Sequence, residues 1–295
     1  MANKYAIVDI GSNSIRYAEE MPEGFPKKEI YTTRLGAGLA STGRLSSGNI
    51  EASLSVLRML GARAARGGFI PRAYATSAVR DSENGAAFAR RVSRECAVPV
   101  EILSGEQEAR FAFMGAALHG ADTMLDIGGA SMQVVTERYG ASFRAGCVRC
   151  GDIAREKTGL PDCDTQPRLQ QRAVEEYMDG VIFLPEFKIN KLVGVGGTIT
   201  TLAALEAGCT EFDRAKAESI ILTPASVDKL INSLVKMGDE RRRHPLLRAR
   251  HDVILYGAYI LRHAMGMLGV SEMSVSCSDG MEGYLKVLGE RENGR

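Results

Sequence analysis

Residues 123–131 read Thr123-Met124-Leu125-Asp126-Ile127-Gly128-Gly129-Ala130-Ser131, and the same order of side chains has already passed once, at Tyr5-Ala6-Ile7-Val8-Asp9-Ile10-Gly11-Ser12-Asn13-Ser14. Asp9, Ile10, Gly11 and Ser14 recur as Asp126, Ile127, Gly128 and Ser131, each 117 residues later. In both copies an apolar run reaches an aspartate, turns at glycine and resumes in extended form. A repeat on this scale predicts two related lobes. The division falls near Gly120: residues 1–120 carry the first glycine loop, and residues 121–295 carry the second loop and a third, Gly194-Val195-Gly196-Gly197-Thr198.

Working outward, strands alternate with helices, which means an α/β class. Ile50, Leu54, Leu57 and Leu60 share a helical face that Gly67-Gly68 ends. Ala73–Thr76 and Val98–Leu103 read as strands and Ala86–Cys96 as a helix. Ser104 and Gln107 stand in a capping-box spacing before Phe111, Met114 and Leu118, the apolar stripe of a further helix. The second half predicts helices at Pro167–Met178, Thr198–Ala207, Ala225–Met237, Pro245–Met267 and Gly280–Leu288, with a strand at Glu272–Cys277.

Composition excludes several classes. With 37 Lys+Arg against 36 Asp+Glu, the net charge of +1 argues against a dedicated nucleic-acid or membrane-surface binder. The amino terminus shows no cleavable signal, and Val253–Val270 carries Arg262 and His263, so it reads as a buried helix rather than a membrane span. A cytoplasmic protein with reduced thiols is expected from six cysteines. Cys147 and Cys150 form a C-x-x-C pair, but only Cys163 follows nearby as a further ligand, so both read as ordinary strand-associated thiols.

Glycine makes up 32 of 295 residues, and three glycine loops at strand ends are a means of presenting backbone N–H groups to phosphate oxygens. Gly11, Ser12, Asn13 and Ser14 form the first loop, Gly128, Gly129, Ala130 and Ser131 the second, Gly196, Gly197 and Thr198 the third. Thr198 also opens a helix, whose N-terminus favours an anion. Asp9 and Asp126 would repel phosphate at these positions unless a cation lay between, so they imply a divalent metal, with Mg²⁺ the best match. An Asx turn is the alternative role for each aspartate.

The ordered set of motifs resembles the exopolyphosphatase / guanosine pentaphosphate phosphohydrolase family in its short, two-domain form. It comprises the first loop through Arg16, Arg34-Leu35-Gly36, Ala75-Thr76-Ser77-Ala78-Val79-Arg80, Ser104-Gly105-Glu106-Gln107-Glu108-Ala109-Arg110, Asp126-Ile127-Gly128-Gly129, Gly196-Gly197-Thr198 and Arg250-His251-Asp252. The resemblance runs from Tyr5 to Gly283. It implies two ribonuclease-H-like lobes of the actin / sugar kinase / chaperone-ATPase superfold with a cleft between them, and a dimer, common in that family. It implies Glu108 as the catalytic glutamate that activates water, and Arg80 as a ligand of substrate phosphate. The three loops would hold phosphoryl groups, with Asp126 near the metal. Read without the resemblance, Glu108 is a first-turn acid of the kind a helix dipole favours.

The expected activity is Mg²⁺-dependent release of terminal orthophosphate from polyphosphate or guanosine pentaphosphate. The family pattern D-I-G-G-G-S-T-E is altered here to Ala130, Met132 and Gln133; Gln107 replaces an acid and Met281 an arginine. Gln133 removes a charge near the expected metal, so the alternative is a catalytically impaired polyphosphate- or alarmone-binding regulatory protein. A kinase or ATPase of the same superfold is a third reading. Arg241-Arg242-Arg243-His244, Arg248 and Arg250 read either as a polyanion track or as a solvated helix end, and Arg90, Arg91 and Arg94 as an exposed face.

Overall fold

The computed structural model describes residues 4–21, 28–116, 120–184 and 188–292. The chain divides into two compact units, Met1–Gly115 with Gly280–Arg295, and Ala116–Asp279. The first carries β1 (Tyr5–Ile10), β2 (Ser14–Glu19), β3 (Glu29–Thr32), α1 (Leu39–Thr42), α2 (Ser47–Arg66), β4 (Ile70–Ala75), α3 (Ser77–Arg80), α4 (Gly85–Cys96), β5 (Val100–Ile102) and α5 (Gly105–Ala116). Its sheet has the order β3-β2-β1-β4-β5. β1 pairs antiparallel with β2 and parallel with β4, and β4 is parallel to β5.

β1 is buried at all six positions because both faces of the sheet are covered. Its side chains divide with the two-residue period of a strand. Ala6, Val8 and Ile10 join Leu54, Leu57 and Leu60 of α2 and Phe88 of α4 in one core, while Tyr5 and Ile7 join Phe111 of α5 on the other face. Ser46 caps α2 by accepting the Asn49 N–H, as its position before the apolar stripe requires.

The second unit carries β6 (Thr123–Ile127), β7 (Met132–Thr136), β8 (Gly140–Phe143), α6 (Cys147–Thr158), α7 (Pro167–Val181), β9 (Leu192–Val195), α8 (Gly196–Glu206), α9 (Arg214–Glu218), β10 (Ile221–Leu222), α10 (Pro224–Met237), α11 (Ile254–Met267) and β11 (Met273–Val275). Its sheet order is β10-β11-β9-β6-β7-β8. Without β10, this reproduces the first unit: an antiparallel β6-β7-β8 meander, then β9 parallel to β6 and β11 parallel to β9. Each unit is therefore ribonuclease-H-like, and the repeat is structural. Asp9 faces Arg16 across β1–β2, and 117 residues on Asp126 faces Gln133 across β6–β7.

Four expectations change. The final helix, α12 (Gly280–Glu292), belongs to the first unit, where Met281, Tyr284 and Leu288 complete the core against Tyr74 and Phe111. Cys147 and Cys150 lie on α6, not a strand, because Gly146 starts a helix right after the β6–β8 meander. The helix expected from Pro245 begins only at Ile254; residues 244–253 run in tight turns, with Leu247 N–H to His244 O, Arg250 N–H to Leu247 O and Val253 N–H to Arg250 O. Arg241 is fully buried, donating to Asp164, to Gly238 O and to Cys163 Sγ, so it belongs neither to a polyanion track nor to a solvated helix end, whereas Arg242, Arg243 and Arg248 are exposed. Leu118 lies outside the described residues. No described helix is long and apolar enough to cross a membrane.

Candidate functional site

In the first unit the loop Gly11–Ser14 closes with Gly11 N–H donating to Ser14 O at 3.1 Å. Its carbonyls turn away into the protein. Ser12 O accepts from Gly36 N–H at 2.8 Å, and Asn13 O accepts from the N–H groups of Thr33 and Arg34. Gly36 is required there, since a Cβ would lie 2.9 Å from Ser12 Cβ and 3.3 Å from Ala78 Cβ. Asn13 Oδ1 is buried with no hydrogen-bond partner among the described residues. Asp9 is buried, and its Oδ2 accepts from both Nε (2.8 Å) and Nη2 of Arg16.

Arg80 ends α3 at the carboxyl end of β4, and Glu108 lies in the first turn of α5, just past β5. The two sequence-assigned residues meet. Arg80 Nη1 donates to Glu108 Oε2 at 2.8 Å and to Leu103 O at 3.0 Å, and its Nε donates to Asp81. α5 is fixed independently of this pair by a reciprocal cap: Gln107 N–H donates to Ser104 Oγ at 3.1 Å, and Ser104 N–H to Gln107 Oε1 at 2.9 Å.

The second unit builds its loop the same way. Gly128 N–H donates to Ser131 O at 2.9 Å. The amino-terminal N–H groups of α6 then take the loop carbonyls: Cys147 N–H on Gly128 O, Val148 and Arg149 N–H on Gly129 O, with Arg149 Nε on Ala130 O at 3.0 Å. Gly146 allows this approach, because a Cβ there would stand 2.5 Å from three backbone atoms of residues 129–131. Gln133 is buried and donates to Ser131 Oγ at 2.8 Å and Ser142 Oγ at 3.0 Å.

Parallel pairing of β6 with β9 sets Asp126 beside Val195, the residue before α8. Gly196 has φ 85°, and a Cβ on it would overlap Asp126 Oδ1, so the carboxylate rests against the amino terminus of α8, where the dipole favours it. Gly197 lies under the Arg250 guanidinium, where a Cβ would stand 2.6 Å from Nη1. Thr198 is buried beside Cys147, whose thiol pKa is pushed up to about 11 by burial. All six cysteines are buried and outside disulfides, and no described group of three His, Cys, Asp or Glu could hold a metal ion.

Each unit thus brings its own assigned residues together: the first loop beside α3 with Arg80 and Glu108 at neighbouring strand ends, and the second loop, Asp126 and the third loop around α8. Sequence reasoning gives no role to Gly146 or Arg149. The only signal is a glycine at a meander end followed by a helix start. The sequence also matches the model of the Ppx/GppA phosphatase family over residues 25–286. The chain belongs to the Ppx/GppA phosphatase family. It is 28% identical to exopolyphosphatase 2 of Mycobacterium tuberculosis over 95% of this chain and 97% of that one. It is also similar to the solved type II variant of the Aquifex aeolicus Ppx/GppA phosphatase, with 27% identity, 96% and 98% of the two chains covered and a TM-score of 0.70. An exopolyphosphatase structure from Cytophaga hutchinsonii shares the fold at 20% identity, with 99% and 98% covered and a TM-score of 0.82.

The departures from the Ppx/GppA pattern have local reasons. Ala130 is not among the described residues with positive φ, so its Cβ brings no backbone strain. Gln107 completes the α5 cap, and Met281 fills the apolar core against Tyr74 and Phe111.

Proposed function

We propose that this protein is an Mg²⁺-dependent exopolyphosphatase, releasing terminal orthophosphate from inorganic polyphosphate; guanosine pentaphosphate presents the same terminal group. The observation that carries the reading is the fate of the loop carbonyls. The carbonyls of Ser12 and Asn13 in the first hairpin loop, and of Gly128, Gly129 and Ala130 in the second, accept from protein donors. This turns them away from a ligand and leaves backbone N–H groups and hydroxyls as the larger part of each loop's remaining polar face, a surface suited to an anion. The likeness to the mycobacterial protein named exopolyphosphatase 2 supports this reading.

Asp126, set against the α8 amino terminus and opposite the neutral Gln133, is the carboxylate that would hold magnesium, whereas Asp9 is ion-paired to Arg16; water and phosphate oxygens would supply the other ligands. When bound, Mg²⁺ neutralises charge on the phosphates. The chain's own residues do the rest. Glu108 accepts a proton from water as the water oxygen bonds to the terminal phosphorus and the bridging P–O bond breaks. Arg80 and the first loop's N–H groups hold the phosphoryl oxygens beside Glu108, and in the second unit the loop N–H groups and the α8 amino terminus offer anion-binding donors of the same kind.

Purified protein with polyphosphate and Mg²⁺ should release phosphate, and Glu108→Gln should lower the rate by ~10²–10⁴, the range of a positioned general base. Full activity in that variant removes Glu108 from the role. Polyphosphate binding without phosphate release would instead establish the regulatory reading that Gln133 favours.

A further inference from the structure

We propose that Arg80 is a latch on Glu108 that the terminal phosphate of the substrate opens. This rests on the hydrolase reading above and concerns the regulation of that same site. In the free protein the guanidinium holds the carboxylate that must receive the proton of the attacking water, through Nη1 to Oε2 at 2.8 Å. The carboxylate side chain is only 14% exposed and the arginine 23%, so the pair is partly shielded from solvent screening.

Three features make the contact an exchangeable one. Arg80 divides Nη1 between Glu108 and Leu103 O, and Nε goes to Asp81, which leaves Nη2 without a protein acceptor among the described residues. A phosphate oxygen can therefore dock on Nη2 before Nη1 gives up Glu108. A phosphate then offers the guanidinium a two-pronged partner, whereas Glu108 meets it through one nitrogen. Finally, neither element depends on the pair for its position: α5 is held by the Ser104–Gln107 cap, and Arg80 keeps Asp81 and Leu103 O as tethers.

The latch also has a consequence for where the chain is cut. A terminal phosphoryl group carries more charge and more non-bridging oxygens than an internal one. It competes better for Arg80, so the base is released chiefly when a chain end occupies the site.

The test is a double-mutant cycle on binding of methylenediphosphonate, which cannot be hydrolysed, measured by calorimetry for the wild type, Glu108→Gln, Arg80→Ala and the double variant. The latch predicts that Glu108→Gln tightens binding about tenfold when Arg80 is present and less than about twofold when it is absent, since a charge-assisted hydrogen bond is the competitor removed. Equal tightening in both backgrounds would reflect general charge repulsion and overturn the latch, as would no tightening at all. Should Arg80→Ala fail to fold, Arg80→Gln takes its place with the same expected pattern. Phosphate release from polyphosphate by the wild type without coupling in the cycle sinks the latch and leaves the hydrolase reading standing. Neither binding nor release by any of the four proteins sinks both.

Discussion

Asp126 stands directly opposite Gln133 across β6 and β7, in the register that sets Asp9 opposite Arg16 across β1 and β2. The repeat is symmetric in backbone and asymmetric in charge. Arg16 neutralises Asp9 inside its own hairpin, whereas the residue opposite Asp126 is a neutral amide that turns to Ser131 and Ser142. A divalent ion should therefore belong to the second unit alone.

That asymmetry separates two conservative substitutions. Asp126→Asn should raise the Mg²⁺ concentration needed for half-maximal phosphate release by about tenfold, the equivalent of one charge-assisted contact. Asp9→Asn leaves Arg16 without its buried anion and should lower the melting temperature, with the Mg²⁺ requirement unchanged. Magnesium titrations of both variants decide it; a shifted requirement for Asp9→Asn would place the ion in the first unit.

Gln133→Ala removes the amide that donates to the buried Ser131 hydroxyl and the half-buried Ser142 hydroxyl, and should cost about 1–3 kcal/mol by denaturant unfolding. Gln133→Glu places a second carboxylate opposite Asp126 at a position 1% exposed. Its melting temperature should fall without divalent cation and recover with Mg²⁺ by more than the wild type gains. Equal Mg²⁺ responses would mean that no ion reaches this strand pair.

Gly146→Ala tests how the second loop is held. The added Cβ would meet Gly129 C, Ala130 N and Ser131 N at 2.5 Å, and all three are backbone atoms that no rotamer change can move. The expected cost is about 1–3 kcal/mol or more, as for overpacked cores, with phosphate release lost before the fold is. Wild-type stability and turnover in this variant would show that α6 does not seat the loop.

The two-lobed α/β fold is legible because Asp9-Ile10-Gly11 and Asp126-Ile127-Gly128 carry the turn chemistry of one meander twice. The loops and the Ser104–Gln107 cap are legible for the same reason: their bonds are local in sequence. What stays hidden is long-range. The Arg80–Glu108 contact spans 28 residues and joins elements whose approach depends on β4 pairing with β5. The α6 start is masked by polar residues in Cys147–Thr158. Chain order puts α12 in the wrong unit, because it does not record that the helix's apolar face fits Tyr74 and Phe111. The 244–253 turns share the apolar spacing of the helix that follows, so periodicity alone overextends α11.

Cys147 gives the protein a dependence on alkaline pH. Burial is the main cause of its raised pKa, with Arg250 and a hydrogen bond to Thr198 pulling the other way, and the folded thiol stays protonated up to about 11 against 9.0 for an ordinary thiol. The unfolded chain gives up this proton first, so it binds fewer protons than the folded one between those values. The contribution is fully present below pH 9 and is lost as the pH rises towards 11, by about 2–3 kcal/mol. Comparing urea unfolding of the wild type and Cys147→Ala isolates it from the other buried thiols and tyrosines: the stability difference between the two should shrink by about that amount from pH 8 to pH 11. A difference that stays constant across this range would show that the thiol beside Thr198 is open to solvent, and native-state labelling of Cys147 at pH 8 would then proceed readily instead of waiting for unfolding.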